Sequence, residues 1–472
     1  MTERAPTGFF EGVFDRTLAH LRIAWREIAE SARGVLGGLP RVEFSGDDVG
    51  RLRQQMLDCL DGRGGEVSAR ARAAELGRTY LALDARGREQ FLQVLAREFD
   101  IDRKEVDRCC AALIEAAGPE ERAAAEAALR AALEPPRITL LRQFNALPEG
   151  VKFLVDCRAE LLDFATRDPL LRALAEDLRR LLANWFDIGF LELKRISWES
   201  PAALLEKLMA YEAVHEIRGW TDLKNRLEAD RRCFAFFHPR MPDEPLIFVE
   251  VALVSGMAGN IHALLDETAP IGDPYAADSA IFYSISNCQR GLVGISFGDF
   301  LIKRVVDALA QELPRLKTFA TLSPVPGFRA WLERQRGEDL LLPSERAALQ
   351  NAAGEEVDLV KLLDRPGWHE EPRLAAALRE PLLRLCARYL VHERGSRRRA
   401  LDPVAHFHLS NGARIERLNW LGDVSPKGLQ QSAGIMVNYL YRLHDIEANH
   451  EAYRGEGRVA AAMAIRALAR SG

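Results

Sequence analysis

The sequence predicts an α + α/β protein, with an all-α helical bundle in residues 1–188 and a mixed α/β domain in residues 189–472. Up to about Asp187, apolar residues recur three and four positions apart, which is typical of amphipathic helices. From about Gly189, short β-rich runs alternate with helical stretches, which indicates an α/β layer architecture. At 472 residues the chain is also too long for a single hydrophobic core.

Amphipathic helices account for the first part of the chain. Four segments of 14 to 16 residues are rich in Ala, Leu, Glu and Arg, and they span 68–83, 86–99, 103–117 and 120–133. Two more helices are predicted at 148–166 and 169–186, and Asp168 before Pro169 is an N-terminal signal for the second of them. The breaks between these helices are short, which favours antiparallel neighbours in a bundle.

The second part of the chain mixes strands and helices. Strands are predicted at 232–238, 245–254, 279–286 and 317–322. Helices are predicted at 201–211, 298–313, 327–336, 372–392 and 458–470. The dipeptide Asn411–Gly412 between two apolar runs predicts a β-hairpin, because both central positions of a type I′ turn need a positive φ. This interpretation places His406 and His408 on one face of a strand.

Composition excludes several classes of protein. The net charge of −5 and the pI near 6.1 argue against a nucleic-acid-binding protein, which would carry a basic excess. No apolar run approaches the roughly 18 residues of a membrane span, and the N-terminus lacks the apolar core of an export signal. We therefore expect a soluble, cytoplasmic protein that does not contact membranes.

The cysteines indicate reduced thiols rather than a metal site. Seven of them are scattered through the chain without a C-x-x-C pair or a nearby histidine at zinc spacing. The sequence therefore predicts no metal.

A glycine-rich turn follows the predicted strand that ends at Ser286. It runs Gln289-Arg-Gly-Leu-Val-Gly-Ile-Ser-Phe-Gly298 and leads into a helical pattern. A turn from strand into helix exposes backbone N–H groups at the positive end of the helix dipole, which suits a pyrophosphate. The alternative is that the glycines only form a tight turn. The candidate coenzyme-binding residues are Gly291, Gly294, Ile295, Ser296, Phe297 and Gly298.

Two short segments about eighty residues apart carry the groups most suited to catalysis. Thr321-Leu-Ser-Pro-Val-Pro-Gly-Phe328 holds the hydroxyl of Ser323 on a loop stiffened by two prolines. Pro403-Val-Ala-His-Phe-His-Leu-Ser-Asn-Gly-Ala413 offers the imidazoles of His406 and His408. Each residue alone has a structural alternative, since Ser-Pro often starts a turn and a single strand histidine is often a satisfied structural residue.

Several stretches of the sequence, including these two segments, resemble the malonyl-CoA decarboxylase family and occur in the same order as in that family. The match within the second segment centres on Phe407-His-Leu409, which favours His408 over His406 as the functional histidine. The resemblance covers roughly residues 189–441. Besides the two segments, the matching stretches are 233–239 with 244–253, 280–286, 300–306, and Asn419-Trp420 with Asp423-Val-Ser425.

The resemblance implies a GNAT-like catalytic domain after an all-α domain that is structural and forms oligomers, in a homotetramer. It implies Ser323 and His408 as the catalytic pair, with Ser284, Tyr441 and Ser296 lining the substrate site. Because some relatives carry an acidic residue where this chain has Ser296, an orienting carboxylate is in doubt at that position.

The implied reaction converts malonyl-CoA to acetyl-CoA and CO2, a step of fatty acid metabolism. The thioester carbonyl itself accommodates the enolate, so we expect no metal, biotin or pyridoxal, and coenzyme A takes part only as a portion of the substrate. Two alternatives stay open, an acyl-CoA N-acyltransferase of the same fold and a non-enzymatic acyl-CoA sensor. Release of CO2 from malonyl-CoA separates the first interpretation from both.

Overall fold

A computed structural model of the chain describes residues 23, 48–61, 65–186, 188–295, 301–335, 340–354, 358–395 and 398–470. The chain divides into two compact units. The first unit takes its described residues from Met1–Glu192, Phe237–Leu246 and Cys288–Phe297, and the second from Leu193–Phe236, Ile247–Asn287 and Gly298–Gly472.

The described helices of the first unit follow the predicted amphipathic pattern. Their core contains leucines and the rings of Tyr80, Phe91 and Phe153, and Tyr80 meets both phenylalanines edge to face. The N-terminal signal at Asp168 is confirmed, because its carboxylate accepts the backbone N–H of Leu170 at 2.8 Å. The helices are α1 (Asp48–Leu60), α2 (Gly65–Ala82), α3 (Ala85–Glu98), α4 (Arg103–Glu115), α5 (Pro119–Ala132), α6 (Pro136–Phe144), α7 (Gly150–Phe164) and α8 (Pro169–Trp185).

A sheet of eight strands runs through the second unit. Its order is β1-β2-β3-β4-β5-β8-β6, with β7 paired to β8. The β4–β5 pair is parallel, whereas β3 is antiparallel to both β2 and β4, and β8 is antiparallel to β5, β6 and β7. The strands are β1 (Glu192–Ile196), β2 (Arg231–Phe237), β3 (Ile247–Val254), β4 (Ser279–Asn287), β5 (Thr318–Thr321), β6 (Ser323–Pro324), β7 (Arg414–Asn419) and β8 (Met436–Leu440).

Helices alternate with these strands as the sequence predicts. The described helices of the unit are α9 (Ala202–Tyr211), α10 (Trp220–Asn225), α11 (Ile261–Leu264), α12 (Leu301–Glu312), α13 (Phe328–Arg334), α14 (Pro343–Ala353), α15 (Leu359–Asp364), α16 (Pro372–His392), α17 (Pro403–Ser410), α18 (Pro426–Ser432), α19 (Ile446–Glu456) and α20 (Met463–Arg470). The strands predicted near 232–238, 245–254, 279–286 and 317–322 are confirmed as β2 to β5.

The central strands are buried on both faces. All seven residues of β2 are buried, as are the first seven of β3. Strands covered on both sides read as continuous apolar runs rather than as alternating ones. Glu250 is the charged residue in the β3 run, and the guanidinium of Arg226 meets its carboxylate at 3.1 Å.

The predicted hairpin at Asn411–Gly412 is wrong. Residues 403–410 form the helix α17, and Asn411 is its C-terminal capping residue with φ −90°. Of the two residues Asn411 and Gly412, only Gly412 has a positive φ, of 80°. A Cβ atom there would lie 2.2 Å from the carbonyl oxygen of Ile446, so a close backbone contact, and not a type I′ turn, requires the glycine.

The turn after β4 packs on α7 within the first unit. Arg158 on α7 donates to the carbonyl oxygens of Gly291 at 2.5 Å and of Val293 at 2.9 Å. A Cβ atom on Gly291 would lie 1.8 Å from the carbonyl oxygen of Val155. Gly291 is therefore required for the close approach of two backbone segments.

We predict that Gly291→Ala destabilises the first unit, because the added methyl group forces the turn away from α7 and breaks the Arg158 contacts. Overpacking of this kind costs about 1–3 kcal/mol, which thermal unfolding followed by circular dichroism measures as a lower midpoint. Gly50→Ala is the matched control, since a Cβ atom at Gly50 meets nothing within 4 Å. Equal midpoints for the two variants would show that Gly291 is not a packing residue.

Candidate active site

The parallel strands β4 and β5 diverge at one point of the sheet. Their last ladder pair is Phe282 with Thr321, followed by a hydrogen bond from the Leu322 N–H to the Phe282 carbonyl at 2.9 Å. Beyond this point β4 continues to Asn287, whereas Ser323 pairs with Val437 on β8. Residues just past the divergence are free of the β4–β5 ladder, and Ser323 is one of them.

Ser323 and His408, 85 positions apart in the chain, are in direct contact. The Oγ atom of Ser323 lies 3.2 Å from Nε2 of His408, and Nδ1 of the same ring lies 2.8 Å from the Tyr441 hydroxyl. Ser323 Oγ also donates to Thr321 Oγ1 at 2.9 Å. With that donation, Nε2 carries the imidazole proton and Nδ1 accepts from Tyr441. Four side chains thus form one hydrogen-bonded chain in the interior.

The helix α17 explains why His408, and not His406, meets Ser323. Residues two apart on a helix point about 200° away from each other, because each residue advances about 100°. The ring of His406 accordingly contacts the Tyr453 hydroxyl, with its Nδ1 at 2.8 Å. The expectation that both imidazoles share a strand face is therefore wrong. The ring of His408 is held further by stacking on Tyr439, with centroids 4.6 Å apart.

A buried carboxylate joins the helix of His408 to the loop of Ser323. Asp402 is the N-cap of α17, and its Oδ1 accepts the N–H groups of Val404 and Ala405, each at 3.0 Å. Its Oδ2 accepts the N–H of Gly327 at 3.1 Å, four residues after Ser323. A side chain that bonds to both segments fixes the separation of the two candidate catalytic groups.

Burial keeps His408 neutral in the resting protein. The ring is only 3% exposed, and desolvation of the charged form lowers its pKa to about 3. The hydroxyls of Tyr441 and Tyr439 are buried beside it, and desolvation raises the pKa of both well above the ordinary value. The described side chains that contact the imidazole are therefore uncharged at neutral pH.

Ser284 lies on the opposite face of the sheet from this chain of hydrogen bonds. Val251 pairs with Phe282 but its neighbour Glu250 pairs with Ser284, so a β-bulge lies between them. Paired residues share a face and consecutive residues of β3 do not, which puts Phe282 and Ser284 on opposite faces. The ring of Phe282 contacts Tyr441 on the His408 side.

Glu212 holds Ser284 on that second face. Both carboxylate oxygens of Glu212 accept from Ser284 Oγ, at 2.8 and 2.7 Å, and Oε2 also accepts from Ser286 Oγ at 3.1 Å. The backbone N–H groups of Val214 and His215 donate to Oε1 at 2.9 and 2.7 Å. The structure thus brings Ser323, His408 and Tyr441 together and gives Ser284 a separate, carboxylate partner.

The described candidate coenzyme residues are part of the first unit. Gly291, Gly294 and Ile295 belong to the first unit, and Gly294 has a φ of 77° that a glycine adopts without strain. The predicted site residues Ser296, Phe297 and Gly298 lie outside the described residues.

A cavity of about 1030 Å³ opens on the face of Ser284. Val214 and His215, which donate to Glu212, line it together with Arg226, whose guanidinium meets Glu250 beside Ser284. Desolvation lowers the pKa of His215 to about 4, so this imidazole is neutral as well. Arg218 and Lys427 also line the cavity, but the acidic residues there outnumber the basic ones.

The described residues contain neither a set of metal ligands nor a membrane-spanning helix. Among them, no group of three His, Cys, Asp or Glu side chains is placed to hold a metal ion. Across those same ranges, no helix has the length and apolarity needed to cross a membrane.

Sequence reasoning missed Asp402, Thr321 and Glu212. Asp402 had a detectable signal, since Asp before Pro is the same N-terminal helix signal that was recognised at Asp168–Pro169. Thr321 lies two positions from Ser323, but nothing in the sequence shows that the two hydroxyls meet. Glu212 reaches Ser284 across 72 positions, and no local pattern signals such a contact.

Comparison with protein families gives a match over most of the chain. The model for the malonyl-CoA decarboxylase C-terminal domain matches residues 189–472, and that for the N-terminal domain matches residues 99–186. Two vertebrate relatives carry the name mitochondrial malonyl-CoA decarboxylase. The protein of Anser anser anser is 40% identical over 409 residues, which cover 82% of this chain and 81% of the relative. That of Rattus norvegicus is 39% identical, over 82% of each chain.

Solved structures give the same result. A crystal structure of malonyl-CoA decarboxylase from Rhodopseudomonas palustris matches with a TM-score of 0.82 and 45% identity, over 90% of this chain and 100% of the other. One from Agrobacterium vitis has a TM-score of 0.80 and 46% identity, over 89% of this chain and 99% of the other. The predicted order, a helical region followed by a mixed α/β domain, is confirmed.

We predict that His408 makes the fold sensitive to acid. Its pKa of about 3 lies below the ordinary value, so the folded state binds the proton more weakly than the unfolded state does. This contribution is fully present above a pH of about 6.5 and is lost as the pH falls towards 3, at up to about 1.4 kcal/mol per pH unit. Thermal midpoints should therefore fall more steeply between pH 7 and pH 5 in the wild type than in His408→Asn. Parallel slopes would contradict a neutral, buried His408.

Proposed function

The chain belongs to the malonyl-CoA decarboxylase family and is a carboxy-lyase, and we propose that it converts malonyl-CoA to acetyl-CoA and CO2 without a metal or an organic cofactor. The contact between Ser323 and His408 carries this proposal. The pair supplies a hydroxyl and a ring nitrogen in a buried setting, beside the point where β4 and β5 diverge.

In the proposed reaction, the bond between the α-carbon and the carboxylate breaks and its electron pair moves into the thioester as an enolate. Carbon dioxide leaves as a neutral molecule, and the α-carbon then takes up one proton. The thioester supplies the electron sink, so the protein has to exclude water, orient the carboxylate and deliver the proton.

The hydrogen-bonded chain suits these tasks. Ser323 Oγ and His408 Nε2 are adjacent, so a carboxylate placed against Ser323 also lies near the imidazole. The Tyr441 hydroxyl holds His408 by a hydrogen bond of 2.8 Å, and Thr321 Oγ1 holds Ser323 by one of 2.9 Å. Prepositioned groups of this kind lower the barrier because they need no reorganisation when charge moves.

The negative charge of the substrate can make His408 the proton donor. His408 is neutral in the empty site, and a carboxylate nearby raises the pKa of an imidazole because it favours the charged form. We propose that malonyl-CoA binding draws a proton from solvent onto His408 and that loss of CO2 moves the negative charge from the carboxylate to the enolate. The imidazolium is then acidic enough to protonate the enolate carbon, directly or through the Ser323 hydroxyl.

Coenzyme binding, chain assembly and cellular location complete the proposed function. We propose that the segment from Gly291 to Gly298 holds the coenzyme pyrophosphate, which the left-handed, uncrowded Gly294 supports. We also propose a homotetramer assembled by residues 1–188, which the family resemblance implies, and a cytoplasmic location. Light scattering and cell fractionation measure these two. The names of the vertebrate relatives make mitochondria the alternative location.

We predict that the purified protein releases CO2 from malonyl-CoA after exhaustive treatment with EDTA, because the thioester is the electron sink. Coupled detection of acetyl-CoA and trapping of labelled CO2 should give equal amounts of the two products. Activity lost in EDTA and restored by a divalent ion would overturn the cofactor-free mechanism. CoA thiol released without CO2 would overturn the decarboxylase itself.

We predict that Ser323→Ala and His408→Ala each lower kcat by roughly 10² or more, the range of a positioned acid or base. The double variant should be little worse than either single one, because both groups serve one step. His406→Ala is the matched control, since it removes a neighbouring imidazole that contacts Tyr453 instead. A larger loss in His406→Ala than in His408→Ala would reverse the assignment.

A further inference from the structure

Glu212 is a carboxylate whose hydrogen-bond donors are neutral, and it contacts Ser284 on the face of the sheet opposite Ser323 and His408. Its donors among the described residues are two backbone N–H groups and two serine hydroxyls. The nearby carboxylate of Glu250 differs, because Arg226 meets it at 3.1 Å. None of the hydrogen-bond donors that hold the Glu212 carboxylate carries a positive charge. The Lys427 ammonium donates instead to the carbonyl oxygens of Ala213 and Val214, at 2.7 and 3.1 Å.

The position of this charge relative to the candidate pair follows from strand register. Ser284 and Ser323 each lie two residues beyond the last β4–β5 ladder pair, Phe282 with Thr321. The bulge in β4 directs Ser284 to the face opposite Phe282, whereas Ser323 hydrogen-bonds to Thr321 and His408 on the face of Phe282. The two serines therefore flank the divergence of the strands from opposite faces.

The hydrogen bonds set opposite polarities on the two sides. Ser284 directs its hydroxyl proton to Glu212, so its oxygen presents lone pairs with a negative charge behind them. On the other face, Ser323 donates to the neutral hydroxyl of Thr321 and His408 Nε2 donates to Ser323, and both donors can turn to a carboxylate placed beside them. A carboxylate at the divergence is repelled from the first side and attracted to the second.

We propose that Glu212 is a positioning residue that turns the malonyl carboxylate towards Ser323 and His408 by charge repulsion. The proposal rests on the function proposed above. Glu212 is the C-terminal capping residue of α9, so the end of this helix places its carboxylate. The proposal also gives Ser284 a defined part, as the hydroxyl through which Glu212 faces the substrate.

Repulsion in the ground state has a kinetic signature. It weakens the binding of the charged substrate and is relieved when the carboxylate leaves as neutral CO2, so its removal lowers kcat and lowers KM together. Acetyl-CoA carries no carboxylate on the acyl group, so its binding is indifferent to the charge of Glu212. If Glu212 were only structural, its substitution would change the binding of malonyl-CoA and of acetyl-CoA alike.

The test is Glu212→Gln, which removes the charge and keeps the size of the side chain. We expect kcat for malonyl-CoA to fall about tenfold or more and KM to fall several-fold, while the inhibition constant of acetyl-CoA stays unchanged. Glu216→Gln is the matched control, because it removes an exposed carboxylate from the same loop and should leave all three constants unchanged. Circular dichroism checks that each variant is folded.

Two further variants keep the proposal falsifiable if Glu212→Gln does not fold. Glu212→Asp keeps the charge and should retain the wild-type ratio of malonyl-CoA KM to acetyl-CoA inhibition constant. Ser284→Ala keeps the charge and removes the hydroxyl, so it should not lower KM. An equal shift for malonyl-CoA and acetyl-CoA, or the same change in Glu216→Gln, would overturn the positioning role. An inactive wild-type protein would instead overturn the proposed function.

Discussion

The relative position of Ser323 and His408 depends on the hydrogen bonds of the buried Asp402 carboxylate. Ser323 follows β5 and His408 lies on α17, and 85 positions separate them. Asp402 accepts two N–H groups at the start of α17 and one from Gly327 beside the serine loop. Burial raises the pKa of Asp402, and the three N–H donors lessen that rise. A buried carboxylate is costly to desolvate, and such charge-assisted hydrogen bonds offset that cost.

The same region shows how one bulge divides a sheet into two chemical environments. The extra residue in β4, Tyr283, shifts the register between Glu250 and Val251. In a strand without a bulge, residues two apart share a face, so Ser284 would lie on the side of Phe282. With the bulge, the hydroxyls of Ser284 and Ser323 serve opposite faces. The donors for a carboxylate and the charge that repels one are thereby kept apart.

The sequence predicts the amphipathic helices and central strands well because their signals are local. Its errors arise where two local signals compete, as in residues 402–412. Asp402–Pro403 is a helix start, like Asp168–Pro169, whereas Asn411–Gly412 flanked by apolar residues suggests a hairpin. The helix forms because the Asp402 side chain caps it and Gly412 fits against the backbone of Ile446. The second determinant is tertiary and cannot be recognised from neighbouring residues.

In the candidate site, too, the sequence predicts which residues take part but does not show which of them are in contact. Resemblance to a family selects Ser323, His408, Tyr441 and Ser284, but only the fold shows that three of them form one hydrogen-bonded chain and the fourth does not. Glu212 is far from all of them in sequence. Its contact with Ser284 depends on where α9 ends and on the bulge in β4, and both are properties of the packed sheet.

A neutral His408 reconciles burial with proton delivery. A permanently charged imidazole in this interior would pay a desolvation cost in every molecule, whether or not substrate is bound. Because burial lowers its pKa to about 3, the resting fold avoids that cost. The cost of charging the ring is met only when a substrate carboxylate compensates it. The negative charge of Glu212, on the opposite face, keeps that carboxylate beside the imidazole, so that the proton is recruited where CO2 is lost.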